Sequence, residues 1–166
     1  AGVKRFLFMN GDKPAEGSLI SDISPEDLLA WARKELSVEA GLALGWPISV
    51  DKIALKLSAK PDYVFTQIFL TIEDAERFRE MFDKAAEETG WRPPVYCTHL
   101  VHCEENLGTL KEVARLMGFE APSFKLGVEA NVGFLRELES FFNGFIISSP
   151  GSYERAIELT ETLRRS

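Results

Sequence analysis

Both cysteines and both histidines of this 166-residue chain fall in the short stretch from Pro94 to Asn106, which carries Cys97, His99, His102, Cys103, Glu104 and Asn106. Thiolate and imidazole are metal ligands, and an imidazole beside a carboxylate can serve as a general acid–base pair. The stretch reads as a buried strand running into a helix start. In a strand, Cys97, His99, Val101 and Cys103 share one face, and Thr98, Leu100, His102 and Glu104 the other. Cys97 and His99 are then neighbours and form the candidate metal pair, for a divalent ion. Cys103 lies roughly 20 Å beyond Cys97 at ~3.3 Å per residue. That is too far for a disulfide, whose Cα atoms sit at about 4.4–6.8 Å, and too far for both thiols to share one ion. His102 and Glu104, at i and i+2 on the second face, are the candidate catalytic pair. The competing reading is structural, with the cysteines as small core hydrophobes and the histidines as hydrogen-bonded spacers. The four-ligand spacing of a structural zinc site is missing.

The elements that must hold this stretch point to an α/β (or α+β) domain. Val3 to Met9 reads as a strand, and Leu19 to Ile23 as its return after the polar turn Asn10–Gly17, giving a hairpin over 3–23. Ser24-Pro25-Glu26-Asp27 is a helix start with a capping serine, proline at the first position and acids over the positive helix end. The helical stripe runs to Leu36. Residues 37–47 are less regular. Ile53, Leu55 and Leu57 alternate with polar or small residues, which predicts a strand paired as an antiparallel hairpin with 63–72. From residue 63 onward strand and helix alternate, implying parallel strands and right-handed crossovers. A strand is expected over 123–130 and a helix over 134–142. Three Gly-aromatic pairs, at Gly90, Gly118 and Gly144, mark expected helix ends.

The expectation is therefore a single domain over 1–166: a hairpin and helix portion over 1–62, then repeated strand–helix units over 63–166. Its sheet is mixed and partly parallel, flanked by helices, with antiparallel hairpins at the N-terminal end. Ligands of such sheets bind beyond the carboxyl ends of the parallel strands. That edge would gather Glu73, Asp74, Glu104, Glu105 and Glu129, suited to a cation, and Ser148 to Ser152, a candidate anion cradle at a helix start. Asn106, Glu129, Asn131, Ser148 and Ser149 are the candidate ligand-binding residues. The same acids and serines would also serve simply as helix caps.

A net charge of −7 argues against a nucleic-acid partner. No stretch approaches the ~20 apolar residues of a membrane span, and the apolar run near the start is too short for a signal peptide. Cysteines that cannot pair along their own strand suggest a reducing, cytoplasmic location.

One segment resembles the second half of a GNAT-type N-acyltransferase: Leu100 to Cys103 followed by Asn106, a helix over 107–117, and Gly118-Phe119. The resemblance covers roughly a third of the chain and implies acyl-CoA chemistry or a non-catalytic relative. The chain departs from the pattern where Thr71-Ile72-Glu73-Asp74-Ala75-Glu76 replaces the pyrophosphate loop, and where Val113 or Ala114 stands in place of a catalytic tyrosine. Three functions follow from the sequence. The first is a domain binding a small metabolite or metal at the carboxyl edge, with or without turnover. The others are a GNAT-like protein, and a regulatory or assembly module that homodimerises through an apolar patch.

Overall fold

Ser24 accepts a hydrogen bond from the Asp27 N–H while Asp27 accepts one from the Ser24 N–H, and this reciprocal box opens helix α1, Pro25–Leu36. The structure is a computed structural model and describes residues 3–9, 23–119 and 123–165. Around α1 the remaining elements are β1 (Arg5–Phe8), β2 (Glu39–Leu44), α2 (Val50–Ser58), β3 (Tyr63–Ile68), α3 (Ile72–Thr89), β4 (Val95–Leu100), α4 (Leu107–Leu116), α5 (Val128–Leu138), β5 (Gly144–Ser148) and α6 (Tyr153–Arg165). The strands belong to a five-stranded sheet in chain order, β1-β2-β3-β4-β5. β1 with β2, β2 with β3 and β4 with β5 are all parallel. The described residues divide into two compact units, Ala1–Thr66 with Glu80–Val95 and Gln67–Arg79 with Tyr96–Ser166.

The expected N-terminal antiparallel hairpins are not found. β1 pairs in parallel with β2 instead, and the expected return strand at 19–23 lies, except for Ile23, outside the described residues. The second hairpin fails because residues 50–58 form a helix, not a strand. Its alternation was only part of the pattern. Ile53 and Leu57, four residues apart, are fully buried, while Leu55 is 68% exposed, which is one face of a helix and not of a strand. Ser49 caps it by accepting from the Lys52 N–H. The sheet strand of this region is β2, drawn from a segment that reads as irregular because Ala and Gly carry little strand preference. No strand forms over 123–130: α5 already begins at Val128, and the expected helix over 134–142 stops at Leu138.

In the second unit, the end of β4 separates two apolar groups. Leu100 packs with Leu70, Leu110 and Ala114, and Val101 and Cys103 with Val132, Leu135 and Leu159. Gly118 closes α4 at a φ of 83°, a conformation that favours glycine. Phe119 follows it, donating to the Ala114 carbonyl at 2.9 Å and packing on the Leu110–Ala114 face. Gly144, expected to close a helix in the same way, is instead the first residue of β5. Among the described residues no helix is long and apolar enough to cross a membrane.

Candidate functional site

β4 ends at Leu100, and the chain then leaves the strand path. The Val101 N–H still donates to the Ser148 carbonyl at the end of β5, at 2.9 Å. Residues 101–103 continue without regular structure into a 3-10 turn at Glu104–Asn106. This departure breaks the alternation expected of a strand. His99 and His102, assigned to opposite faces, instead bring their rings to a centroid separation of 5.2 Å. Phe134 lies against both rings, at 5.8 Å from His99 and 5.6 Å from His102, and Phe124 meets His102 at 5.4 Å.

Asn131 ties this aromatic group together. It sits in α5, fully buried. Its Oδ1 accepts from the His102 backbone N–H at 2.8 Å and lies 2.7 Å from His99 Nε2. Its Nδ2 donates to the carbonyls of His102, at 3.0 Å, and Gly127, at 2.7 Å. Because Oδ1 can only accept, His99 Nε2 carries the proton toward it, and His99 Nδ1 is left as a bare acceptor. Among the described residues neither His99 Nδ1 nor His102 Nε2 has a hydrogen-bond partner, and both are buried. Burial lowers the pKa of His99 to about 4, against the opposing effect of the Asn131 contact, and His102 nearby lowers it further. Burial alone brings His102 to about 4. Both rings are therefore neutral at pH 7.

Asn106, also fully buried, performs a second closure. Its Nδ2 donates to the Val101 carbonyl and to Ser149 Oγ, at 2.8 and 2.9 Å, and its Oδ1 accepts from the Gly151 N–H at 2.8 Å. Gly151 is held so close that a Cβ there would collide with the Glu105 carbonyl. The Ser152 N–H donates to the Ser149 carbonyl, and Ser152 Oγ to Glu154. The groups expected to cradle an anion at 148–152 are thus largely committed to joining the β4 and β5 exits.

Beside these two closures lies a partly open cavity of about 210 Å³, lined by Val101, His102, Cys103, Glu104, Leu126, Gly127, Val128, Asn131 and Arg155. The structure brings the candidate pair His102 and Glu104 to this one wall, although Glu104 does not bond His102 Nε2. Burial pushes the Cys103 thiol pKa up, so it stays protonated. Arg155 is held by Glu105 at 3.2 Å and by Glu158 at 3.0 Å.

The other candidates fall elsewhere. Asn106 lies behind the wall as a structural tie, and Glu129 is an exposed residue in the first turn of α5. Ser148 and Ser149 serve the strand exit. Cys97 is buried in β4 with its Sγ 3.5 Å from the Thr98 carbonyl, and His99 turns to Asn131. Cys97 and Cys103 form no disulfide, and no three His, Cys, Asp or Glu side chains gather as a metal would need among the described residues. Cys97 and His99 are each buried, at 1% exposure. Reading by motif passed over Arg155, Leu126 and Val128. Arg155 had a usable signal, because it stands in the first turn of the helix that follows the β5 exit.

No protein-family model matches the chain, and no curated protein matches it. Among solved structures, the chain is similar to the oxygenating constituent of 3,6-diketocamphane monooxygenase from the CAM plasmid of Pseudomonas putida, a type II Baeyer–Villiger monooxygenase in complex with FMN. The TM-score is 0.43 at 12% identity, and the match covers 76% of this chain and 45% of that one. The acyltransferase resemblance has no support from the family models or the curated proteins. Where its pyrophosphate loop would lie, Thr71 Oγ1 accepts from the Asp74 N–H and opens α3 with acidic residues.

Proposed function

We propose that this chain binds a small organic molecule in the cavity beyond the carboxyl end of β4. One observation carries the reading: His102, 6% exposed and in the cavity wall, has a buried ring nitrogen without a partner. A buried polar group is ordinarily satisfied, because leaving it unsatisfied costs about 1–3 kcal/mol. Such a cost held beside a cavity marks a place where function is expected to conflict with folding. Carboxyl strand ends are also where parallel sheets place their ligands.

The same residue argues for binding over proton transfer. A ring with a pKa of about 4 holds a proton only rarely at pH 7 and is a weak base. His102 is therefore assigned to the wall of the cavity and not to proton transfer, with Glu104 at the same wall. Two buried thiols without a bridge fit a reducing compartment.

The test is a fragment library followed by backbone amide shifts, with Leu126→Trp as the blocking variant. Binding should move the signals of residues 101–104 and 126–131, and Leu126→Trp should abolish it while leaving distant signals in place. Fragments that bind equally well to the variant, or that shift only other residues, would remove the cavity from consideration.

A further inference from the structure

The wall of the cavity also restricts the charge of its occupant. Arg155, the one cation among its described lining residues, is engaged by two carboxylates, Glu105 and Glu158. Glu104 lines the same cavity, and no described cation pairs with it. Lys125 precedes the lining residue Leu126, and like Glu105 and Glu158 it stands beside the space without lining it. With the neighbours counted alike, Glu104, Glu105 and Glu158 against Arg155 and Lys125 leave the surroundings of the cavity negative, which disfavours an anion. The wall also carries the apolar side chains of Val101, Leu126 and Val128, together with His102.

We propose that the ligand of this cavity is a small organic amine in its ammonium form. Its apolar body would lie against Val101, Leu126 and Val128, with Glu104 as its counter-ion. The inference rests on the cavity reading above and adds the ligand's chemical class.

Benzylamine, benzyl alcohol and benzoate share one apolar body and differ in charge, so they separate the two claims. Each is titrated into the full chain and followed by amide shifts of residues 101–104 and 126–131. Benzylamine is expected to bind best and benzoate least, and added salt should weaken the amine alone. Glu104→Gln should lower amine affinity about three- to fivefold, as for a solvent-exposed ion pair, and leave the alcohol unchanged. Benzoate binding as tightly as benzylamine, or an amine affinity indifferent to Glu104→Gln, would overturn the ligand class while keeping the cavity. If none of the three probes shifts these residues, both the class and the cavity reading fall.

Discussion

In the first unit Asp62 clamps the start of β2, and in the second Asn131 clamps the exit from β4. Asp62 accepts from the Ala40 N–H at 2.8 Å while its own N–H donates to the Ala40 carbonyl at 2.9 Å. Asn131 brackets the N–H and carbonyl of His102 in the same manner, with its side-chain amide alone. The surroundings differ. Asp62 is also bound by Arg33, at 2.6 and 3.3 Å, and about a third of both side chains meets solvent. Asn131 works in a dry group of aromatic rings that keeps two histidine nitrogens unpartnered. A satisfied, solvent-backed clamp serves stability. A buried network left incomplete beside a cavity gives up stability where a ligand can enter, which is where function is expected to conflict with folding.

Acid should separate the two clamps most strongly. The unfolded chain binds protons at its histidines near pH 6.5, whereas His99 and His102 resist them down to about 4. The stability associated with their neutral form is complete above about pH 6.5 and is lost as pH falls toward 4. The slope is about 1.4 kcal/mol per pH unit for each ring, at most about 3 kcal/mol apiece. For Asp62, burial works to raise the carboxyl pKa, but Arg33 and the Ala40 N–H hold it below its ordinary value of 3.8. Its contribution is present above 3.8 and disappears only as pH falls through that lower folded value. Urea unfolding followed across the window from pH 6.5 to 4 should therefore fall steeply, with the Asp62 clamp still intact. A flat profile there would refute the neutral, buried assignment of the two rings.

Asn131→Ala is the next largest expected effect. It strands the N–H and carbonyl of His102 in the core, at a cost of about 3–5 kcal/mol in urea unfolding. Asp62→Ala should cost less, about 1–2 kcal/mol, because water can reach the groups it abandons. Equal losses from the two substitutions would erase the distinction between the clamps.

How much of this was legible depended on whether one local signal controlled the outcome. The start of α1 was readable because capping serine, N1 proline and first-turn acids agree, and its end at Leu36 was found from the apolar stripe. α2 was misread because a nine-residue segment can satisfy periods of two and of nearly four together, and only the cap at Ser49 and the exposure of Leu55 decide between them. At the site, the expected residues His102, Glu104 and Asn131 are among those that line one cavity. What escaped was the meeting of His99 with His102, since alternation applies only while the strand lasts, and β4 stops between them. Asn131 was sought at a strand end and works from within a helix, a position fixed by tertiary packing that no local pattern reveals.

The tie made by Asn106 bears on how a guest would be received. With Val101, Ser149 and Gly151 joined through one buried amide, the exits of β4 and β5 are fastened before any ligand arrives. Association generally loses affinity to the freezing of loops and side chains. For Val101 that work is done during folding, so under the proposed binding this part of the wall would need little rearrangement. Even a molecule of few atoms can then convert most of its contacts into affinity, and the backbone amides of the two exits should exchange slowly with solvent whether or not the cavity is filled.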